Sequence, residues 1–260
     1  MSDLWLVRDL VLGLRDAADG WGADEVGAWF EREPDLLGEL QAVGRPEARG
    51  DRDAELLWGL YAVSRLVDLL TAPHQPGDRA LGWPMPSAGA WDGVRALVGA
   101  VEVAEDGFHP FFHEIVRVEP ADDPDEPVSL VAEHWPGALV GGLLLARAGV
   151  TVRAGGNVLD PAVATRSTQY WTWWRRNRPV DDLSHGWGSN SQWRTEFRRD
   201  YVVGDEVHFN VDGRESRPPE PDDDLTDAER LELLRFRHGV RRDLGPDRWP
   251  YGETLVEARP

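Results

Sequence analysis

The hydrophobic period of this chain changes near Phe111, and the change restricts the chain to folds that segregate helices from strands. Before Phe111, apolar residues recur every three or four positions, as on one face of a helix. Beyond it, apolar and polar residues mostly alternate, as they do along strands. Helices first and strands later predict an α+β fold. We expect an N-terminal helical layer packed with a mainly antiparallel sheet, followed by a C-terminal helix.

The N-terminal part contains several amphipathic stretches that end at proline or glycine. The most regular apolar stripe runs from about Asp53 to Leu70, and Pro73 ends it because proline interrupts helical hydrogen bonding. Residues 73–92 are rich in proline and glycine, which indicates a loop. The predicted helices cover residues 1–14, residues 24–30, a segment opened by Pro34, residues 53–70 and residues 91–101.

The middle of the chain is predicted to be mostly β-structure. Residues 111–119 and 128–135 flank an acidic turn that contains proline, which predicts an antiparallel hairpin. A helix is expected from Pro136 through the apolar residues 138–146, with Gly149 as its left-handed cap. Further strands are predicted over residues 150–153, 167–176, 194–203 and 206–211, the last two joined as a hairpin at Gly204-Asp205.

The C-terminal part is predicted to hold one helix after an extended acidic connection at residues 217–224. Thr226 and Glu229 have the spacing of a capping box, and the helix is expected to continue past Leu234 to Val240. Residues 247–252 are an aromatic tail. The regions expected to form one integrated domain are 1–72 (helical), 73–110 (a connection with a short helix), 111–213 (mainly antiparallel β with one inserted helix) and 214–260 (acidic linker, helix and tail).

Composition excludes several kinds of chemistry. The chain has no cysteine, so it has no disulfide, thiolate metal site or cysteine nucleophile. All 28 basic residues are arginine, which excludes a Schiff-base or P-loop lysine. Arginine without lysine is typical of a high-GC bacterial genome. No apolar run is long enough to span a membrane, and we expect a cytoplasmic location. The residues identify no cofactor.

The charge of the chain is negative but unevenly distributed. The net charge is −19, which opposes binding to nucleic acids and to anionic membranes and would attract a basic protein. From Arg166 to Arg199, seven arginines face three acidic residues, so this stretch carries +4 and the remainder −23. One positive island in an acidic chain is a candidate site for an anion.

The first candidate site combines histidines and glutamates on the predicted hairpin. Pairing about its turn would place His113 beside Glu133 or His134, with Glu114 next to them. Imidazole and carboxylate together suit acid–base catalysis, and they also suit a zinc or iron site, although the spacing matches no metal motif. Ordinary cross-strand hydrogen bonds are the alternative. The candidate catalytic residues are His113, Glu114, Glu133, His134 and, from a separate loop, His185.

The second candidate site is the positive island, which also holds five of the thirteen tryptophans. Guanidinium groups bind carboxylate or phosphate at two points, and tryptophan stacks on flat rings. The alternative is that the tryptophans are core residues and the arginines pair with carboxylates of the chain. The candidate ligand-binding residues are Arg175, Arg178, Trp187, Asn190, Trp193, Arg194 and Arg198.

Two hypotheses about function follow from these patterns. The first is a bacterial enzyme or binding protein that takes a small anionic molecule, with an aromatic ring as a good fit, in the arginine- and tryptophan-rich stretch. The second is an acidic interaction protein, of the antitoxin or immunity kind, that neutralises a basic protein partner through its negative surface. A deep pocket lined by those residues would favour the first hypothesis, and an acidic face with buried tryptophans would favour the second.

Overall fold

The fold is α+β: a layer of N-terminal helices packs with a mainly antiparallel sheet, and a helix lies near the C-terminus. The computed structural model describes residues 2–50, 53–103, 105–165, 175–177, 199–213, 226–236 and 253–260. Within these ranges, none of the helices combines the length and the apolar character that crossing a bilayer requires. The helices are α1 (Val7–Leu14), α2 (Ala23–Arg32), α3 (Pro34–Val43), α4 (Ala54–Thr71), α5 (Ala90–Leu97) and α6 (Asp227–Arg235).

Helix α4 is the centre of the helical layer, as its apolar stripe predicts. Asp53 caps its N-terminus by accepting a hydrogen bond from the Glu55 amide at 3.0 Å. The helix ends at Thr71, where a 3-10 turn that includes Pro73 follows. The capping box predicted at Thr226 and Glu229 is confirmed at the start of α6, whose last residue is Arg235.

Nine strands form two sheets in the described ranges. A six-stranded sheet has the order β1-β4-β5-β7-β8-β9 with every pair antiparallel. A three-stranded sheet has the order β2-β6-β3. The strands are β1 (Val101–Glu102), β2 (His113–Pro120), β3 (Ser129–Trp135), β4 (Ala138–Val140), β5 (Leu143–Ala146), β6 (Ala148–Ala154), β7 (Tyr201–Val203), β8 (Glu206–Phe209) and β9 (Leu255–Ala258).

The predicted hairpin of β2 and β3 is wrong in its pairing, although both segments are strands. Strand β6 lies between them, parallel to β2 and antiparallel to β3. The physical reason is burial: six of the seven residues of β6 are buried, and such a strand gains most in the middle of a sheet. Alternation along a strand identifies its two faces but does not say which strand is its neighbour.

The helix predicted over residues 138–146 is also wrong. This segment forms β4 and β5, which are joined at Gly141-Gly142, and Gly141 adopts a φ of +57°. A short apolar run fits a buried strand and a buried helix equally well, and a glycine pair between two such runs favours the hairpin. Gly149 is not a helix cap; it lies within β6 against the ring of Trp135.

The later elements agree with the sequence in part. The hairpin of β7 and β8 is confirmed, with Gly204 at φ +60° in its turn. Strand β9, which pairs with β8, lies in a segment that the sequence pattern did not identify as a strand. The predicted strand over residues 167–176 falls almost entirely outside the described residues. So do the acidic connection at 217–224 and the tail at 247–252. The predicted continuation of the last helix towards Val240 is wrong, because Arg235 is its last residue and Phe236 already has an extended backbone.

The main hydrophobic core lies between the helices and the six-stranded sheet. It joins residues of α1, α3 and α4 to β4, β5 and β7, with Tyr201 and Trp135 among its largest buried side chains. A smaller apolar cluster surrounds β6 and contains Val150 and Val152. Val116 of β2 and Trp135 of β3 belong to the main core, so the three-stranded sheet lies beside the helical layer, with β2 and β3 as its outer strands.

Gly59 of α4 allows the N-terminal segment to approach the helix closely. A methyl group at this position would lie 2.6 Å from the Leu4 Cβ and 2.9 Å from the Trp5 amide nitrogen. Gly38 of α3 has no neighbour within 4 Å of the equivalent position. Gly59→Ala should therefore destabilise the protein by about 1 to 3 kcal/mol through overpacking, despite the better helix propensity of alanine.

The matched variant Gly38→Ala should raise the free energy of unfolding by up to about 1 kcal/mol, because only helix propensity changes there. Chemical denaturation of both variants measures the two effects. Equal stabilisation by both substitutions would contradict the close packing at Gly59.

Candidate functional site

A pocket of about 320 Å³ lies beside β3 and contains residues of the first predicted site. We call it the acidic pocket because three glutamates line it. The remaining lining is mostly apolar, with one histidine. The lining residues are Glu102, Val103, Glu105, His113, Leu130, Val131, Ala132, Glu133 and Val150.

The irregular pairing of β3 explains why consecutive residues of one strand line the pocket. The register between β3 and β6 shifts at Val131 and again at His134, so the strand has a bulge on each side of Glu133. Bulges turn side chains away from regular alternation and are frequent at functional sites. Because β3 is an outer strand and mostly exposed, residues 130–133 meet the segment that follows α5 across the pocket.

The three glutamates of the acidic pocket differ in their ion pairs. Arg95 of α5 pairs with Glu102 at 3.0 Å, and Arg259 pairs with Glu105 at 2.7 Å. Among the described residues, no arginine pairs with Glu133. Loss of water around its carboxyl group and the negative charge of Glu102 raise the pKa of Glu133, although Arg95 acts in the opposite direction. The pocket therefore carries an uncompensated negative charge when Glu133 is ionised.

His113 is the buried polar group of the acidic pocket, with only 6% of its surface exposed. Its Nδ1 lies 3.0 Å from both the amide nitrogen and the carbonyl oxygen of His109, and its ring contacts Phe108. No hydrogen-bond partner of its Nε2 occurs in the described part of the chain. Burial lowers the pKa of His113 more than the His109 carbonyl and Glu105 raise it, and Arg147 lowers it further. The ring is therefore neutral at neutral pH.

The structure brings together two of the predicted catalytic residues and separates two others. His113 and Glu133 line the same pocket, but not as a cross-strand pair: His113 is opposite Ala148, and Glu133 is opposite Val150. His134 lies apart from them, where its Nε2 contacts the Thr151 hydroxyl at 2.8 Å.

Glu114 does not line the acidic pocket either, because its side chain lies in a buried ion cluster formed with Arg175, Asp68 and Arg65. Arg175 donates from Nε and Nη2 to the two oxygens of Glu114 at 2.7 and 2.8 Å, and from Nη1 to Asp68 at 2.8 Å. Arg65 lies 3.4 Å from the other oxygen of Asp68. Burial opposes the charge of Arg175, but Glu114 and Asp68 outweigh it and raise the pKa of the guanidinium.

Two further arginines are also paired inside the protein. Arg199 forms a two-point pair with Asp212 at 2.7 and 2.8 Å, and Arg147 pairs with Asp200 at 2.7 Å. All four side chains are buried. Bidentate geometry suits arginine because its planar guanidinium matches the carboxylate.

The second predicted site is described only at Arg175, whose three guanidinium nitrogens all donate to buried carboxylates. The other predicted ligand-binding residues lie outside the described residues, as does His185, so binding of an anionic molecule there stays a prediction. These ligand-binding residues are Arg178, Trp187, Asn190, Trp193, Arg194 and Arg198.

Sequence reasoning missed two glutamates of the acidic pocket, Glu102 and Glu105. They follow α5 and reach the pocket only because β1 and β3 lie near each other, which no local pattern indicates.

In the described ranges, no group of three or more histidine, aspartate and glutamate side chains is arranged to hold a metal ion. Comparison with known proteins finds no family, no curated protein and no solved structure that matches this chain.

Removal of the Arg175 guanidinium should strongly destabilise the protein, because it leaves Glu114 and Asp68 as buried charges without their shared cation. Arg175→Met is expected to cost about 3 to 5 kcal/mol in the free energy of unfolding. Addition of Glu114→Gln should recover part of this loss by removing one unpaired charge. Urea denaturation of the single and double variants measures both effects, and an unchanged midpoint for Arg175→Met would contradict the ion cluster.

The buried neutral state of His113 predicts a loss of stability in mild acid. An unfolded histidine binds a proton near its ordinary pKa of about 6.5, whereas the folded protein binds it only at lower pH. Protonation therefore favours unfolding as the pH falls below about 6.5. His113→Gln should flatten the dependence of unfolding free energy on pH between about 7 and about 5, measured by denaturation at each pH.

Above about pH 7 the two curves should run parallel, because His113 is neutral in both the folded and the unfolded chain there. An equally steep loss of stability in the variant below pH 6.5 would show that His113 is not the group responsible.

Proposed function

We propose that this chain is an acidic binding protein that recognises a basic segment of a protein partner, with the acidic pocket as part of the binding surface. One observation carries this proposal: three glutamates line a pocket beside an outer strand, and one of them, Glu133, forms an ion pair with no arginine of the described residues. A surface of this kind attracts cations and repels anions.

The distribution of charge supports the same conclusion. The chain carries 47 acidic and 28 basic residues, and the excess of acidic residues is far larger than the number of carboxylates held in the buried pairs of Arg147, Arg175 and Arg199. An excess of negative charge at the surface accelerates association with a basic partner by long-range attraction. The neutral state of His113 keeps one more positive charge out of the pocket at neutral pH.

The structure of β3 also suits contact with an extended segment. Val131 is 47% exposed, and the strand has mostly exposed residues beside Glu133. The loop before β3 adds Asp122, Asp123 and Asp125, all of which are exposed. A partner with several basic residues would meet carboxylates along this side as well as inside the pocket.

The proposal predicts salt-sensitive binding of a basic peptide. The wild-type protein should bind fluorescently labelled octa-arginine, and the association rate should fall about tenfold between about 50 and about 300 mM salt because screening shortens the electrostatic range. An octa-glutamate peptide should not bind. Stopped-flow fluorescence measures the rates, and a rate that is insensitive to salt would contradict the proposal.

A pair of charge-matched variants locates the contact. Glu133→Gln should weaken octa-arginine binding about threefold or more, whereas Glu31→Gln on α2 should change it little. Both substitutions remove one negative charge from an exposed residue, but only Glu133 lines the acidic pocket. Equal effects of the two substitutions would show that total charge, rather than this pocket, determines the binding.

A further inference from the structure

We infer that the acidic pocket receives a guanidinium group, so that an arginine side chain of the basic partner is its specific ligand. This inference rests on the proposed function and adds the chemical identity of the group that occupies the pocket. It depends on three features of the pocket: its size, its mixed lining, and the buried imidazole of His113.

The size of the pocket fits one long side chain rather than a cofactor. Its volume of about 320 Å³ lies at the lower end of the range for small-molecule sites, which runs from about 300 to about 1,000 Å³. An arginine side chain that enters such a pocket would leave the backbone of the partner outside, beside the exposed strand β3. The pocket thus suits recognition of one residue within a longer segment.

The lining of the pocket matches a side chain that has an apolar stem and a charged head. Val103, Leu130 and Val150 provide apolar walls, and the glutamates provide acceptors. Long basic side chains lay their methylene groups on apolar surface and keep the charged end near polar groups. The pocket can satisfy both parts of such a side chain at once.

A guanidinium fits this lining better than an ammonium. It is more weakly hydrated, so it loses less when it enters a pocket with apolar walls. It is planar and presents several N–H donors, so it can contact Glu133 at two points and still donate to another acceptor. An ammonium is a compact, strongly hydrated charge that gains less from this arrangement.

His113 supplies the further acceptor. Its side chain is buried and lines the pocket, and its Nδ1 lies 3.0 Å from the His109 carbonyl oxygen. Because Nδ1 lies 3.0 Å from both the His109 amide nitrogen and the His109 carbonyl oxygen, the neutral ring has two tautomers, and a bound guanidinium selects the one in which Nδ1 donates to the carbonyl and Nε2 carries a lone pair. A guanidinium N–H is a suitable donor for this nitrogen, and the charge of Glu133 in the same pocket opposes a carboxylate or phosphate ligand.

Three small amides that differ only at the end of the side chain test the inference. Nα-acetyl-arginine amide should bind the wild-type protein at least about fivefold more tightly than Nα-acetyl-lysine amide. The citrulline analogue, which has nearly the shape of arginine but no charge, should bind at least about tenfold more weakly than arginine. Isothermal titration calorimetry measures all three affinities. Equal affinities for the arginine and lysine amides would overturn the inference.

Variants of the pocket provide the second part of the test. Glu133→Gln should weaken the arginine amide about fivefold, and the control Glu31→Gln should leave its affinity unchanged. Ala132→Leu fills the pocket without a change of charge and should also weaken the arginine amide about fivefold. Because residues 132 and 133 are exposed, both variants are expected to fold, which their unfolding curves will show. Unchanged affinity in both variants would place the ligand elsewhere.

The two proposals fail in different ways. If octa-arginine binds with salt sensitivity but the arginine amide shows no preference over lysine, the guanidinium site is wrong and the acidic binding protein stands. If octa-arginine does not bind at all, the proposed function itself is wrong, and the guanidinium site is rejected with it.

Discussion

The buried ion pair between Arg175 and Glu114 is the interaction that joins the strand behind the proposed binding face to the helical layer. It ties the described segment 175–177 to β2, and through Asp68 to α4. Neighbouring residues on a strand point to opposite faces, so the direction of Glu114 into the ion cluster is consistent with the direction of His113 into the acidic pocket. Strand β2 thus carries one side chain of the buried ion cluster next to one side chain of the acidic pocket.

In the described ranges the buried arginines and carboxylates are paired, whereas Glu133 at the acidic pocket pairs with no arginine. The buried pairs include Arg147 with Asp200 and Arg199 with Asp212. A chain without lysine relies on guanidinium groups for all such pairs, and their planar donors satisfy a carboxylate at two points. Glu133, Asp122 and Asp123, by contrast, are exposed. The same affinity of carboxylate for guanidinium that holds the interior together is what we propose for recognition of a partner.

The sequence predicted the fold class, the N-terminal helices and most strands, because apolar period, proline and capping residues are local signals. It did not predict that β6 separates β2 from β3, since alternation does not specify the neighbour of a strand. The apolar segment 138–146 was wrongly predicted as a helix because a short apolar run has no clear period. His113 and Glu133 were expected to lie together as a cross-strand pair; they do lie together, but as lining residues of one pocket. Glu102 and Glu105 reach the pocket through tertiary contacts that no local pattern shows.

The measurement that tests this account most directly is the mapping of amide chemical shifts by NMR while Nα-acetyl-arginine amide is added to the wild-type protein. The account predicts that the largest changes fall on the residues of the acidic pocket, in particular Val103, Ala132, Glu133 and Val150. Small changes spread over many acidic residues, with none concentrated at the pocket, would contradict the claim that the structure contains a specific site for a guanidinium group.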